Sequence, residues 1–303
     1  MQLESEPTKL DLTLKKGSVD HPIIEVSLLE RRITFMTTSR IVDVIDDTCL
    51  RHNKIVVSNY NVHGFNLSMQ LPWLYRFHQK ADYVHCDGMG ILKTANFLGL
   101  DLPNNYHTSY TSLMPKVLDL ANQKGYSVFF LGGKLHILET ALHNLRLNYS
   151  NARFFGHHGY FLSDDPAQNS LNQQKVLASI NKIKPNILVM GMGMPIQEQW
   201  VDKNKEHLSV NAIMLGGAII DRLAGEVPDC PQLLTKLGLE WIFRLVREPR
   251  RLMGRYVIGN PTFFDEYCLS VCPWYSTLNH SSKKSVGLFL ARNIYPEQKI
   301  FNS

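Results

Sequence analysis

Short apolar runs alternate with segments of helical period between about residues 54 and 225. The runs at 54–58, 82–86, 127–131, 152–155, 187–190 and 212–215 predict strands, and the segments near 66–79, 89–98, 111–124, 134–147, 170–183 and 196–206 predict helices. Strand-then-helix alternation with short links is typical of a parallel sheet covered by helices on both faces. The pattern therefore predicts an α/β fold built on a Rossmann-like, mostly parallel sheet. Residues 1–50 predict a strand and a helix that lead into it.

Loop-forming residues follow every predicted strand. Those that we single out as candidate site residues are Asn59, Asn61, Asp87, Gly88, Gly132, Gly133, Gly191, Gly193, Gly216 and Gly217. The carboxyl ends of parallel strands meet at one edge of the sheet, and such folds bind their ligands there. We therefore expect these residues to gather at that edge.

The stretch 186–200 carries the strongest single signal. Its apolar run, 187–190, leads into Gly191-Met-Gly193-Met-Pro195, and a polar, helix-prone segment follows. Free backbone N–H groups and the dipole of a following helix favour phosphate groups at such a turn. Gln197 and Glu198 lie in the first helical turn, where we expect them to face the ligand. The stretch therefore indicates a nucleotide-type ligand.

Asp87 is the candidate general base. It follows a predicted strand and precedes Gly88, so its carboxylate is expected at the ligand edge, where it can take a proton from a substrate hydroxyl. Asp-Gly is also a common turn pair, and Asn59 and Asn61 are equally typical of loops, so the pattern alone leaves both interpretations open. Asp221 is expected near the start of the helix after the last predicted strand.

Much of the excess positive charge lies in one segment. The net charge is +5, and Lys236, Arg244, Arg247, Arg250, Arg251 and Arg255 fall between residues 236 and 256. The first part of this segment also carries Trp241 and Leu245 at helical spacing. A helix with aromatic, aliphatic and arginine side chains suits a membrane surface or a partner groove. A packing helix with a solvated basic face explains the same pattern equally well.

Composition is that of a globular protein, with 44% apolar and 19% charged residues. The five scattered cysteines indicate reduced thiols in a cytosolic setting, without the spacing of a zinc site. The polar, acidic start is unlike a signal peptide, and no apolar stretch approaches the roughly 20 residues that span a bilayer, so we expect a soluble chain. A phosphate loop and a complete dinucleotide fingerprint are both missing at the strand ends, which disfavours an NAD-dependent enzyme.

The motifs together resemble one family in their order and spacing. They are Ala81-Asp-Tyr-Val-His-Cys-Asp87-Gly88-Met-Gly90, Phe129-Phe-Leu-Gly-Gly133, Gly159-Tyr-Phe161, Gly191-Met-Gly-Met-Pro-Ile-Gln-Glu-Gln-Trp200, Gly216-Gly-Ala-Ile-Ile-Asp221 and Gly238-Leu-Glu-Trp-Ile-Phe-Arg244-Leu-Val-Arg-Glu-Pro249-Arg-Arg251. Over about residues 25–262 the chain is similar to the WecG/TagA/CpsF family of bacterial glycosyltransferases, glycosyltransferase family 26.

The resemblance implies an activity and roles for the motif residues. It implies inverting, metal-independent transfer of a hexose or N-acetylhexosamine from a UDP-sugar to an undecaprenyl-diphosphate-linked sugar in surface or extracellular polysaccharide synthesis. Asp87 matches the family's proposed catalytic base and Asn61 its active-site asparagine, while Asn59 stands where the family commonly has Thr. Gln197 and Glu198 match the segment that would hold the uridine diphosphate.

The resemblance also decides how the basic segment is interpreted. It favours an appendage that binds the lipid diphosphate and the cytoplasmic membrane surface through Arg244, Arg247, Arg250, Arg251 and Arg255. We therefore expect a flexible segment at 1–24, a Rossmann-like catalytic domain at 25–232 and a helical, membrane-associating appendage at 233–303. The expected location is the cytoplasm, peripherally at the inner face of the membrane. We expect no cofactor and no nucleic-acid partner, and a homo-oligomer is left open.

The chain departs from the family pattern at three places. Asn104-Asn105 replaces Glu-Arg after Leu102-Pro103, Tyr110 stands where an Asp is usual, and Asp229-Cys230-Pro231 replaces Arg-Ala-Pro. Losing arginines near a diphosphate site can change the donor, the acceptor or the activity itself. A catalytically degenerate member that binds nucleotide or a partner protein is therefore the alternative function.

Overall fold

The structure, a computed structural model, describes residues 12–15, 22–227, 230, 234 and 240–247 of the 303-residue chain. The chain divides into two compact units. The larger unit comprises Leu12–Asn61 and Leu74–Asp229, and the smaller includes Val62–Trp73 and the described residues from Cys230 onward. The predicted appendage boundary at 232–233 remains a prediction.

The larger unit is built on one sheet, which has nine strands among the described residues, in the order β1-β2-β3-β5-β4-β9-β8-β6-β7. The strands are β1 (Leu12–Lys15), β2 (Ile23–Leu28), β3 (Arg31–Phe35), β4 (Ile55–Tyr60), β5 (Tyr83–Cys86), β6 (Ser127–Gly132), β7 (Arg153–His157), β8 (Ile187–Gly191) and β9 (Ala212–Leu215). Strands β1, β2 and β3 pair antiparallel, and all pairs from β3 to β7 are parallel. The predicted mostly parallel α/β fold is confirmed.

Helices connect the parallel strands. The described helices are α1 (Thr38–Leu50), α2 (Val62–Gln70), α3 (Pro72–Lys80), α4 (Met89–Phe97), α5 (Tyr110–Lys124), α6 (Leu135–Asn148), α7 (Pro166–Ile183), α8 (Ile196–Asn204), α9 (Ile219–Leu223) and α10 (Glu240–Arg247). Local sequence sets several of their ends. Thr37 caps α1 by accepting from the Arg40 N–H, Asp165 caps α7 just before Pro166, and Gly125 ends α5 in the left-handed conformation.

Two of the predicted elements differ from the structure. The helix predicted near 66–79 is two helices, because Pro72 has no N–H and disfavours helical backbone at Leu71. The predicted strand-and-helix lead-in contains an antiparallel hairpin, β2–β3. Its turn, Leu29-Glu30, has φ of 46° and 64° without the Gly or Asn that usually reveals such a turn.

The predicted flexible segment, 1–24, includes structured backbone. Leu12–Lys15 forms β1 and pairs with β2, which itself begins at Ile23. The other residues before 22 lie outside the described part of the chain.

The sheet core explains why the parallel strands read as apolar runs. Strands β6, β8 and β9 lie inside the sheet, and every residue of Ser127–Leu131, Ile187–Met190 and Ala212–Leu215 is buried. Strands covered on both faces need apolar side chains in both directions. The ends of these buried strands position the candidate site.

Candidate active site

Asp87 and Asn61 meet where the neighbouring strands β4 and β5 end. The Asp87 N–H donates to the Tyr60 carbonyl at 2.9 Å, which continues the strand pairing beyond Cys86. The Asn61 side-chain nitrogen lies 3.5 Å from Asp87 Oδ2, at the long end of the hydrogen-bond range. Both residues are partly exposed, so a carboxylate and an amide face solvent side by side.

Asn59 is buried and ties β4 to the next strand. Its Nδ2 donates to the Leu215 carbonyl at 3.0 Å, and 3% of the residue is exposed. The bond joins the ends of β4 and β9, which are neighbours in the sheet. Asn59 therefore supports the site from within, and its predicted catalytic role remains a prediction.

The candidate glycines divide into two structural groups. A Cβ on Gly132 would lie 2.3 Å from the Gly191 carbonyl carbon, and one on Gly191 would lie 2.4 Å from Ile220 Cδ1. Gly216 and Gly133 are also closely packed, against Ile219 and Ile220 respectively. These glycines are required by packing between strand ends and α9.

Gly193 and Gly217 form the second group. They have φ of +79° and +59°, and nothing lies within 4 Å of the position that a Cβ would take. Gly88, which precedes α4 with φ of +128°, is likewise uncrowded, with Asn61 Cβ 3.6 Å from that position. Left-handed backbone with open space beside it lets a ligand approach the main chain closely. Gly193 and Gly217 are therefore the better candidates for contact with phosphate.

Gln197 and Glu198 are buried, with 1% and 0% exposed. The Gln197 backbone N–H donates to Gly193 O at 3.0 Å, and its side-chain Oε1 accepts from the Gly217 N–H at 3.2 Å. Gln197 Nε2 donates to Glu198 Oε1 at 2.9 Å, while Glu198 Oε2 is buried without a partner. The Gln197 side chain therefore supports the turn at Gly217, and the Glu198 side chain bonds to Gln197. The sequence predicts that both side chains face the ligand, whereas in this structure both are buried. Their role in holding the uridine diphosphate remains a prediction.

Burial sets the protonation of Glu198. Removal from water raises the pKa of this carboxyl from 4.5 to about 7, and the hydrogen bond from Gln197 opposes the shift. A neutral carboxyl can remain inside the protein near neutral pH at less cost than a charged one.

A buried polar layer beside Asp87 was missed in the sequence. His85 precedes Asp87 by two residues and is fully buried. Burial lowers the pKa of His85 to about 4, although the Asp87 carboxylate opposes the shift. Its ring centroid lies 5.6 Å from that of Tyr110. The alternation of side chains along a strand, which places 85 and 87 on one face, is the signal that could have found it.

Two further features lie near the strand ends: Asp221 on α9, and the neighbouring residues His157 and His158 at the end of β7. Asp221 is half-buried on α9, and its backbone carbonyl accepts from the backbone N–H of Glu226 at 3.0 Å. Ligand binding by its side chain remains a prediction. His157 Nδ1 lies 2.8 Å from the His158 carbonyl. In the described part of the chain no three His, Cys, Asp or Glu side chains gather as a metal site.

The helix α10 carries what the structure describes of the basic segment. Ile242 and Val246 are exposed, and the Arg247 guanidinium lies 4.9 Å from the centre of the Phe243 ring. Arg250, Arg251, Arg255 and the side chain of Arg244 fall outside the described residues. No described helix has the length and apolar character needed to cross a bilayer.

Comparison with known proteins decides the family. The model of the glycosyl transferase WecG/TagA/CpsF family matches residues 26–272. The chain belongs to this family. The WecG/TagA/CpsF match includes every candidate residue named above, from Asn59 to Arg255.

Two curated relatives come from Staphylococcus aureus, strains MW2 and NCTC 8325 / PS 47. Each is named N-acetylglucosaminyldiphosphoundecaprenol N-acetyl-beta-D-mannosaminyltransferase and is 29% identical to this WecG/TagA/CpsF member over 173 residues. The similar region covers 57% of this chain and 64% of each relative. The chain therefore matches under two thirds of the length of these relatives.

Proposed function

We propose that this protein is an inverting glycosyltransferase. It moves a hexose or N-acetylhexosamine from a UDP-sugar to an undecaprenyl-diphosphate-linked sugar, in the synthesis of a surface or extracellular polysaccharide. The observation that carries the proposal is the pairing of Asp87 with Asn61 at the same sheet edge as the open turns at Gly193 and Gly217. A base and a phosphate cradle at one edge are the two parts that such a transfer needs.

The proposed reaction is a single displacement. The Asp87 carboxylate takes the proton of the acceptor hydroxyl while that oxygen attacks the anomeric carbon of the donor sugar. The bond from that carbon to the diphosphate oxygen breaks, and UDP leaves with the bonding electrons. Backbone N–H groups near Gly193 and Gly217 and the N-terminus of α8 favour the charge that develops on the diphosphate. These residues supply both the base and the charge stabilisation, so we propose that no metal is needed.

The acceptor class is proposed from the relatives and from charge. The names of the relatives specify a lipid diphosphate that carries N-acetylglucosamine. In this chain the basic segment of residues 236–256 would bind an anionic diphosphate and an anionic leaflet. We propose that the protein works peripherally at the cytoplasmic face of the membrane.

A donor screen tests the proposal. The full-length protein is incubated with UDP-N-acetylmannosamine, UDP-N-acetylglucosamine or UDP-glucose and a short-chain polyprenyl diphosphate that carries N-acetylglucosamine. We expect UDP release with one donor, together with a product heavier by one sugar, with and without a chelator. Calorimetric binding of UDP without any product would favour a degenerate binding protein, and binding of NAD in place of UDP would overturn the proposed function.

A further inference from the structure

A buried serine and a buried histidine are hydrogen-bonded beside the strand that leads to Asn61. Ser58 lies on β4 and His78 in the last turn of α3, and they are 0% and 1% exposed. Ser58 Oγ and His78 Nδ1 are 3.0 Å apart. Burial, and to a smaller extent the Arg32 guanidinium, lowers the pKa of His78 to about 3, so the ring is neutral near pH 7. A nucleophilic serine must reach its substrate, so this enclosed pair is not a catalytic dyad.

The His78 ring also contacts the last residue of β4. Its centroid lies 4.3 Å from that of the Tyr60 ring, and Tyr60 is 0% exposed. Ser58 and Tyr60 are two positions apart on the strand, so their side chains point to the same face of the sheet. One imidazole therefore holds two side chains within the last three residues of β4.

The end of β4 carries the geometry of the candidate active site. The Tyr60 carbonyl accepts from the Asp87 N–H at 2.9 Å, and Asn61 is the next residue along the chain. A shift of Tyr60 would therefore move Asn61 and Asp87 relative to each other. The bond from Asn59 to the Leu215 carbonyl holds the opposite face of the same strand end. The two side-chain contacts together secure β4 from both faces.

His78 is itself held by the hairpin at the edge of the sheet. Arg32 on β3 donates to the Ala81 carbonyl and lies 3.5 Å from the His78 carbonyl through Nη2. Its Nη1 donates to Glu25 Oε2 on β2 at 3.1 Å. A cation at the carboxyl end of a helix is favoured by the helix dipole and satisfies free carbonyl groups there. The end of α3 is thus a fixed support for the His78 ring.

We propose that Ser58 and His78 are positioning residues that hold the end of β4 so that Asn61 and Asp87 keep their relative geometry during sugar transfer. Neither residue touches the reacting atoms in this proposal. A displacement of about 1 Å caused by a residue far from the chemistry can cost about 10²-fold in rate. The inference rests on the proposed function, because it concerns the placement of the proposed base.

The first test compares Ser58→Ala with Ser127→Ala. Both changes remove one hydroxyl from a buried strand residue, and Ser127 Oγ donates to Asn186 Oδ1 at 3.1 Å. Ser127 is the first residue of β6, at the end of the sheet opposite the candidate site. Ser58→Ala should lower kcat about tenfold and leave Kd for UDP unchanged, because the open glycine turns follow β8 and β9. Ser127→Ala should lower Tm and keep the wild-type kcat.

Hydrogen exchange gives a readout that does not depend on activity. Ser58→Ala should speed exchange of the Asp87 amide, whose N–H is bonded to Tyr60, while Ser127→Ala should leave that amide as in wild type. The double variant Ser58→Ala/His78→Phe separates positioning from stability. It removes both polar partners and keeps a ring beside Tyr60, so its Tm should exceed that of Ser58→Ala. Its kcat should stay low, because the phenyl ring has no directional bond to fix it.

Three results would overturn the inference and leave the proposed function standing. They are wild-type kcat in Ser58→Ala, equal falls in kcat for Ser58→Ala and Ser127→Ala, and recovery of kcat together with Tm in the double variant. A wild-type protein that transfers no sugar would overturn the proposed function. The exchange rate of the Asp87 amide would then still decide whether the pair holds the end of β4.

Discussion

Gln197 Oε1 accepts a hydrogen bond from the backbone N–H of Gly217 at 3.2 Å, which links the first turn of α8 to the turn after β9. The backbone of the same glutamine is bonded to Gly193. One residue therefore holds both of the open glycine turns. Its neighbour Glu198 accepts from the side-chain nitrogen of Gln197 and so fixes the orientation of the amide.

Replacing Gln197 with Met should weaken UDP binding. The Gly217 N–H loses its partner and Glu198 loses its donor, so the turn at Gly217 is no longer held in place before UDP binds. If about 1.4 kcal/mol of binding free energy is lost in ordering this turn, Kd rises about tenfold. Calorimetry with UDP measures the change. The control is Gln199→Met, an exposed position in the same helix turn. Equal UDP affinity in the two variants would show that the link does not shape the binding site.

Replacing Asp87 with Asn should abolish most of the sugar transfer. The amide cannot take a proton from the acceptor hydroxyl, and loss of a general base costs about 10²–10⁴-fold in rate. We expect Kd for UDP to stay near the wild-type value, because the carboxylate does not belong to the glycine turns. Asp101→Asn makes the same change in charge at an exposed residue and should be fully active. Undiminished product formation by Asp87→Asn would remove Asp87 as the base.

The two glycine groups should respond differently to alanine. Gly132→Ala places a methyl group 2.3 Å from the Gly191 backbone, so strand ends must separate, and we expect a loss of at least about 3 kcal/mol in unfolding free energy. Gly193→Ala meets only the left-handed backbone penalty of about 1–2 kcal/mol. Urea unfolding of both variants measures the difference. Similar losses at the two positions would contradict the close packing of Gly132.

The raised pKa of Glu198 predicts how this residue couples stability to pH. The folded protein keeps the proton up to pH about 7, whereas the unfolded chain releases it near 4.5. The protonated carboxyl therefore makes a contribution to the free energy of unfolding that is fully present below pH 4.5 and is lost as the pH rises through 7. Glu198→Gln should therefore gain stability relative to wild type between pH 5 and 8, by up to about 3 kcal/mol.

Urea unfolding at several pH values measures this relative gain. The buried histidines also make stability depend on pH, but in the opposite direction. Their pKa values are lowered, to about 3 for His78 and about 4 for His85, so their contribution rises with pH. Subtracting the unfolding free energy of wild type from that of the variant removes this shared contribution and leaves that of Glu198. The control, Glu206→Gln, removes an exposed carboxylate and should show no such trend. A constant difference between Glu198→Gln and wild type across this pH range would contradict the prediction.

Removing the charge of Arg247 should weaken binding to anionic membranes. Each basic residue near such a surface contributes about 1 kcal/mol, so Arg247→Ala should lower binding about fivefold at low ionic strength. Co-sedimentation with vesicles of phosphatidylglycerol and phosphatidylcholine measures the effect. Lys175→Ala removes an exposed charge from α7 and serves as the control. Equal losses for both variants would indicate attraction by net charge without a role for α10.

The strands inside the sheet were predictable because each is a short apolar run that is buried on both faces of the sheet. The predicted strand 212–215 is observed with the same bounds, and the other predicted strands appear at nearly the same positions. The hairpin β2–β3 was not predictable, since its strands are half-buried and Leu29-Glu30 lacks the usual turn residues. Patterns are informative where burial is complete and weak at the edge of the sheet.

The candidate site was predictable as a location but only partly as a set of contacts. Asp87, Asn61 and the glycines follow strands, so parallel topology alone brings them to one edge. The different environments of Gly132 and Gly193 could not be deduced, because both follow a strand in the sequence. The burial of Gln197 was equally hidden, since its partner is twenty residues away along the chain.

By itself, the sequence determined the parallel sheet, the sheet edge at which the candidate site residues gather and the family to which the motifs belong. These features depend on local periodicity and on residues close together in the chain. Only the tertiary structure decided that Asn59 ties β4 to β9 and that Glu198 is buried with a raised pKa. Hydrogen bonding and burial arise from contacts between distant segments, and these contacts exist only once the sheet has formed.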